Sequence, residues 1–132
     1  MGNNGVSDRY LQSWWRKTVL AMCGNRCIIC KLKKEDAELE CHHVVKRRHR
    51  VLRHDPKNGV AVCVGDCHTK ADSLDGIRII SDALGADRMD YLAERQKWFI
   101  KDYRFSLNHS KTEHEKWELK RLKDTYSKYQ ED

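Results

Sequence analysis

Long apolar runs are missing from this sequence, which argues against a membrane-spanning helix. The first residues, Met1 to Gly5, also lack the apolar stretch of a signal peptide, and Val6 stands where a myristoylation motif places Ser or Thr. We therefore expect a cytoplasmic protein with no membrane contact. In a reducing compartment, the 6 cysteines are better explained by metal binding or burial than by disulfides.

Apolar residues are scarce as well, at 39% of 132 residues against 35% for charged residues. The chain is long enough for one domain, or for one small domain with a helical appendage, but its core is modest. A bound metal ion would add the cross-links that such a core lacks. Lys and Arg outnumber Asp and Glu by 26 to 20, which gives a net charge of +6 and favours a polyanionic partner.

Spacing predicts an α+β fold with short elements. Ser7 or Asp8 can cap a first helix that runs to about Met22, after a flexible tail at 1–6. The tryptophans on its apolar face predict core packing, with base stacking as the alternative. Residues 37–41 and 60–62 read as two strands, and 67–73 as a short helix.

The last third of the chain is predicted to be helical. Residues 77–80 are ambiguous between strand and helix, and residues 87–104 follow one helical period. Ser110 and Glu113 form a capping box for a last helix that ends near Lys128. Its apolar stripe is thin, so we expect it to pack on a neighbouring element, in this chain, a homodimer or an assembly partner. We divide the chain into the tail, a core at 7–76 and a helical extension at 77–132.

Two cysteine pairs predict a structural zinc site. Cys27 and Cys30 are separated by two residues, and Cys63 and Cys67 by three. Zinc prefers four tetrahedral ligands, and closely spaced thiolate pairs supply them without large backbone strain. Such a site is closed and serves as scaffold. The remaining two, Cys23 and Cys41, are expected to be small buried side chains, not ligands.

A second cluster contains His42, His43, Asn58 and His68. Neighbouring side chains of a strand point to opposite faces, so one of the paired histidines can bind a metal while the other faces a substrate. The Asn58 amide can hold an imidazole tautomer or a metal ion. Each of these residues alone could be an ordinary surface residue, but their joint placement around a zinc site favours function.

The order Cys-x-x-Cys, Glu40-Cys-His-His-Val, Asn58-Gly-Val-Ala-Val-Cys and Cys67-His68 resembles the HNH endonucleases. The likeness is greatest to the phage and mobile-element type with a four-cysteine zinc site, and it covers roughly residues 8–75. It implies a ββα-metal (His-Me finger) core in a protein of a bacterial or phage-infected cell. The zinc knuckle would be flanked by the N-terminal helix and the C-terminal helices.

The resemblance also implies the roles of individual residues. His43 matches the general base that deprotonates the attacking water, and Asn58 matches the central Asn that orients the base or touches the metal. His42 and His68 match ligands of a catalytic divalent metal, Mg²⁺ or Mn²⁺, with Ni²⁺ or Zn²⁺ also compatible with imidazole ligands. Asp72 stands one helical turn after His68 and could be a further ligand.

A basic segment follows the paired histidines and reads as a track for DNA phosphates, although a solvated charged loop is the alternative. Its cations are Lys46, Arg47, Arg48, Arg50 and Arg53. No residue pattern for the recognition of DNA bases accompanies them. We therefore expect an enzyme that nicks DNA or cuts it with weak sequence specificity.

A different class of protein fits part of this pattern. A zinc-ribbon subunit of a phage packaging or recombination assembly would bind nucleic acid without cutting it. The helical C-terminus would then serve as an assembly arm. Such a binder has no need for His43, Asn58 and His68 together, and their presence favours the nuclease.

Overall fold

The structure, a computed structural model, describes residues 5–130. Within that range the elements are α1 (Asp8–Met22), β1 (Leu39–His43), β2 (Gly59–Cys63), α2 (Asp66–Ala71), α3 (Leu74–Leu84), α4 (Ala86–Arg95), α5 (Ile100–Ser106) and α6 (Lys111–Lys128). A 3-10 helix at Pro56–Asn58 precedes β2. None of these helices has the length and apolar character needed to cross a membrane. Of the predicted tail at 1–6, residues 1–4 lie outside the description, and Val6 packs against the core.

The fold is α+β, as predicted, with a two-stranded antiparallel sheet. Residue 39 of β1 pairs with 63 of β2, and residue 43 pairs with 59. The first strand ends two residues later than the predicted 37–41, so both paired histidines lie within it. The strand therefore continues through His42 and His43, and their side chains leave opposite faces of the sheet.

Two apolar clusters hold these elements together. One, built on Cys27, Val60, Val62, Ala71 and Ile80, joins the cysteine-rich turn to the sheet, α2 and α3. The other, built on Leu11, Trp15, Val19 and Leu122, joins α1 to α6. The last helix thus packs on the first helix of the same chain. A hydrogen bond of 3.3 Å from Thr18 Oγ1 to the Leu122 carbonyl oxygen crosses this contact.

The prediction of a single helix over 87–104 is wrong. The chain forms α4 and α5 instead, with a break at residues 96–99. At the break the Gln96 carbonyl oxygen is free to accept a 2.8 Å hydrogen bond from His49 Nε2. The break also brings Trp98 edge-on to the buried ring of Tyr103, at 5.7 Å between centroids. Tertiary contacts therefore override a continuous helical period. The ambiguous residues 77–80 belong to α3.

Asp55 ties the segment before β2 to three helices. Its side chain caps the 3-10 helix by accepting from Lys57 N at 2.9 Å, and it accepts a 2.5 Å bond from Tyr91 Oη of α4. Arg121 of α6 lies 3.5 Å from the same carboxylate. The Asp55 carbonyl oxygen accepts from Trp15 Nε1 of α1 at 2.9 Å. Helices beyond residue 76 thus help to position Asn58, while the predicted division at that residue stays a prediction.

Candidate functional site

The four predicted zinc ligands lie together. The sulfur atoms of Cys27, Cys30, Cys63 and Cys67 are all within 4.8 Å of one another, and Cys30 Sγ is 3.3 Å from Cys63 Sγ. In a zinc tetrahedron with Zn–S bonds of about 2.3 Å, sulfur atoms are about 3.8 Å apart. The separations in the cluster are compatible with that value. This cluster could hold a structural metal ion such as zinc.

The pKa values of two thiols in this cluster are shifted in opposite directions. Burial alone raises the pKa of Cys27, but backbone N–H groups of Cys30, Cys63 and Ile29 lower it to about 7. Two of these bonds, from Ile29 N and Cys30 N, measure 3.4 Å. Burial and the neighbouring thiols raise the pKa of Cys67 to about 11. A dication bound by the four sulfur atoms would offset the repulsion between their thiolates.

The two remaining cysteines, Cys23 and Cys41, lie outside this cluster, as predicted, but they are half-buried where burial was expected. Cys23 Sγ accepts a 3.3 Å bond from Ala61 N, and Cys41 Sγ donates to the Arg16 carbonyl oxygen at 3.4 Å. Burial is the main cause that raises the pKa of both thiols, to about 12 for Cys41. They join α1 to the sheet as neutral side chains.

A second group of possible metal ligands forms on the α2 side of the sheet. Ligand atoms of His42, His68 and Asp72 all lie within 4.8 Å of one another. His42 Nε2 is 3.8 Å from Asp72 Oδ1, and the His42 and His68 rings meet edge to face at 5.5 Å. Burial is the main cause that lowers the pKa of His42, which favours the neutral imidazole a metal ion needs. Lys46 Nζ lies 3.4 Å from Asp72 Oδ1.

Glu40 is a neighbour of this group that sequence reasoning missed. Its carboxylate oxygen Oε1 contacts Nδ1 of His68. Glu40 and His42 are two residues apart in β1, so both side chains point to the α2 face. The two-residue alternation of a strand could therefore have predicted that Glu40 lies beside the His42 group. A carboxylate at Nδ1 fixes a protonated Nδ1 and leaves Nε2 of His68 with the free lone pair.

His43 lies on the other face of the sheet, against α1. Its ring is parallel to the indole of Trp15, with centroids 3.9 Å apart and planes inclined by 7°. Nε2 is 3.1 Å from the Arg53 carbonyl oxygen, which can only accept, so Nε2 carries the hydrogen and Nδ1 the lone pair. Burial is the main cause that lowers the pKa of His43 to about 4. The ring is therefore neutral at pH 7.

Asn58 is fully buried, and its amide is occupied by the loop that follows β1. Oδ1 accepts from Val45 N at 2.6 Å. Nδ2 donates to the carbonyl oxygens of Val45 and Leu52, both at 3.0 Å. The hydrogen bonds of the Asn58 amide are thus made with backbone groups of the basic loop and not with the His42, His68 and Asp72 group. The amide holds the two ends of the basic loop and, through that loop, the carbonyl that fixes His43.

The cations of the basic loop point in different directions. Lys46, Arg47, Arg48 and Arg50 are exposed. Arg53 is committed to Asp8, with Nη2 at 3.0 Å from Oδ2, and its side chain is 23% exposed. Arg50 and Arg53 line a cavity between α1 and α6. Four of the five predicted cations are therefore exposed, and the phosphate track that begins at Lys46, beside the His42 group, stays a prediction.

Comparisons with protein-family models, with curated proteins and with solved structures found no match.

Proposed function

We propose that this protein is a metal-dependent DNA endonuclease of the HNH type, with a ββα-metal core made by β1, β2 and α2. The observation that supports it most is the convergence of His42, His68 and Asp72 from β1 and α2. His42 lies in β1, His68 in α2 and Asp72 directly after α2, and each of the three residues was expected from the sequence. A stabilising core contact does not require three polar ligands, one of them 53% exposed, around one point.

The donor set suits a divalent ion. Two imidazoles and one carboxylate fit Mn²⁺, Ni²⁺ or Zn²⁺, and Mg²⁺ with additional water ligands. Such an ion, when bound, stabilises the negative charge that develops on the departing 3′-oxygen of a phosphodiester. Within the chain, Glu40 contacts Nδ1 of His68 and would leave Nε2 available to hold the ion. Lys46, now paired with Asp72, would turn to a phosphate oxygen.

The base in this proposal is His43, the residue that the resemblance implies. Its side chain leaves the opposite face of the sheet from the His42 group, so the scissile phosphate would have to lie at the end of β1, where both side chains can be reached. His43 Nδ1 carries the lone pair because Nε2 donates to the Arg53 carbonyl oxygen. A neutral imidazole in a fixed tautomer can accept a proton from an attacking water. Burial against Trp15 keeps the ring neutral over the physiological range. The Asn58 amide supports this geometry indirectly, by holding the loop that carries Arg53.

Lys46, Arg47 and Arg48 provide the expected phosphate contacts, because they are exposed and directly follow β1. The four-cysteine cluster fixes the start of α2, and with it the position of His68, which adjoins Cys67. A structural zinc would thus position a catalytic ligand without taking part in the reaction. The expected products carry 5′-phosphate and 3′-hydroxyl ends.

The proposal is tested by nicking of supercoiled plasmid with Mg²⁺ or Mn²⁺. Wild type should convert it to nicked or linear DNA, and EDTA or His68→Ala should abolish the reaction. His109→Ala, a histidine of the turn before α6, is the control and should cut as wild type does. If zinc-loaded wild type binds DNA but cuts none of its forms, the protein is instead a nucleic-acid-binding module of a packaging or recombination assembly.

A further inference from the structure

A cavity of about 430 Å³ lies between α1, the basic loop, α5 and α6. It shares no lining residue with the cysteine cluster or with the His42 group. Cationic side chains enter it from three of these elements, namely Arg50, Arg53, Arg104 and Lys111. Its volume falls in the range of about 300–1,000 Å³ that is typical of small-molecule sites.

The carboxylates of this cavity are largely engaged by its own walls. Asp8 lies 3.0 Å from Arg53 Nη2 and 3.1 Å from His54 Nε2. Glu118 lies between two imidazoles, 3.7 Å from His54 Nδ1 and 3.6 Å from His114 Nε2. Among the described residues, three cations of the lining, Arg50, Arg104 and Lys111, and one carboxylate, Glu115, form no ion pair. The cavity therefore keeps an excess of unpaired positive charge.

Buried donors without an acceptor also line the cavity. Among the described residues, Arg53 Nε, Arg104 Nε and His114 Nδ1 have no hydrogen-bond partner, and His114 Nε2 has only the 3.6 Å contact with Glu118. His114 is only 3% exposed, so solvent cannot readily supply one. The unpaired atoms of its lining are nitrogens throughout. A buried donor left unpaired is costly, and this set calls for a ligand rich in acceptors.

Both long helices begin at the wall of this cavity. Ser7 caps α1 and Ser110 caps α6, and residues of the first turn of each helix, Asp8 and Lys111, line the space. The positive ends of two helix dipoles therefore add to the field of the cationic side chains. A compact oxyanion fits this arrangement better than a flat or singly charged group.

We propose that this cavity binds a phosphate monoester. Three or more phosphate oxygens would accept bonds from the Arg104 and Arg53 guanidinium groups and from His114, with Lys111 supplying further charge. The remaining volume admits a small organic substituent. The phosphate could be carried by a free small molecule or by the 5′ end of a DNA strand, and the chemistry of recognition is the same.

Binding of a phosphate in the cavity would shift the position of His43, because Arg53 contacts both. The Arg53 guanidinium lines the cavity, and its backbone carbonyl oxygen accepts the hydrogen bond from His43 Nε2. A ligand that pulled the guanidinium away from Asp8 would move this short segment. The binding site itself does not depend on whether the His42 group is catalytic.

The first test uses protein that carries its structural zinc, in a buffer without other metal ions. Inorganic phosphate is titrated in, and ¹H–¹⁵N spectra of the histidine rings are recorded. We expect saturable shifts of the His114 ring signals. Absence of any His114 shift at millimolar phosphate would overturn the proposal, because this readout needs no variant. Shifts confined to His42 and His68 would overturn it equally, since they would place the phosphate at the other group.

Calorimetry on variants then tests the contacts. Arg104→Ala with Lys111→Ala should weaken phosphate binding about tenfold or more. The control Lys116→Ala, an exposed cation of the same helix, should leave binding unchanged. Equal affinity of the double variant and wild type would contradict the proposal. The affinities of a mononucleotide and a 5′-phosphorylated oligonucleotide are then compared. The tighter ligand shows whether the phosphate belongs to a small molecule or to the 5′ end of a DNA strand.

Discussion

The imidazole of His43 lies flat on the indole of Trp15, at 3.9 Å between ring centroids. Trp15 is 1% exposed and is itself fixed by the bond from Nε1 to the Asp55 carbonyl oxygen. Gly59 allows α1 to pack this closely on β2, because a Cβ at that position would lie 2.7 Å from Trp15 and 2.5 Å from Val19. The position of the proposed base is therefore set by α1, which carries no ligand of either metal group.

Replacement of Trp15 by Phe should lower the cleavage rate on the order of tenfold to a hundredfold, because a misplaced base loses alignment with its water. The stack becomes smaller, and the bond to Asp55 is lost. Single-turnover cleavage at saturating DNA measures the effect. Trp14→Phe is the control, since Trp14 packs edge-on against Tyr126 and not against His43. Equal rates in the two folded variants would show that the stack does not position the base.

Replacement of Asp55 by Asn should destabilise the protein by about 3–5 kcal/mol, because it removes one partner of a buried ion pair. Arg121, half of that pair, would remain buried without its counter-charge. Urea unfolding measures the change. Asp124→Asn removes an exposed pair with Lys120 and should cost less than about 1 kcal/mol. Similar losses in both variants would contradict the role given to Asp55.

Replacement of Cys63 by Ser should release the structural metal and unfold the cysteine-rich turn together with α2. Mass spectrometry under native conditions should find one zinc ion per wild-type chain and none in the variant. Cys23→Ser is the control, since Cys23 lies outside the cluster, and it should retain the ion. Zinc retained by Cys63→Ser with wild-type affinity would exclude the four-cysteine site.

Glu118 gives the fold a defined acid sensitivity. Burial alone raises its pKa, but the His114 and His54 imidazoles lower it from 4.5 to about 2. Since the folded-state pKa is the lower one, the carboxylate stabilises the protein above about pH 4.5, and this contribution disappears as the pH falls towards 2. At about 1.4 kcal/mol per unit, the loss is on the order of 3 kcal/mol.

Unfolding free energies of Glu118→Gln and wild type at several pH values test this statement. The difference between them should be largest near neutral pH and should shrink between pH 4.5 and 2. Glu94→Gln, at an exposed position of α4, should follow wild type throughout. A wild-type minus Glu118→Gln difference that does not change with pH would contradict the assignment.

Local spacing was enough to predict the ligand groups. The pairs Cys27 with Cys30 and Cys63 with Cys67 needed only short turns, and His68 with Asp72 needed only one helical turn. Strand alternation was enough to separate His42 from His43. These features depend on few residues and on fixed periods, which is why the sequence reveals them.

Features that depend on distant segments could not be predicted. The contact of Glu40 with His68 requires the position of α2 over the sheet, and the partners of Asn58 require the path of the basic loop. The break after α4 has no Gly or Pro to mark it and results from contacts made by Gln96 and Trp98. The cavity lined by His114 requires α1, the basic loop and the α5–α6 pair to come together from distant parts of the sequence.

The most direct test of the account is the single-turnover rate of plasmid nicking by His43→Ala in Mg²⁺ or Mn²⁺. The variant should stay folded and zinc-loaded, and should nick about 10²- to 10⁴-fold more slowly than wild type because it lacks the general base. EDTA should stop the wild-type reaction. A His43→Ala protein that cuts as fast as wild type would contradict the central claim.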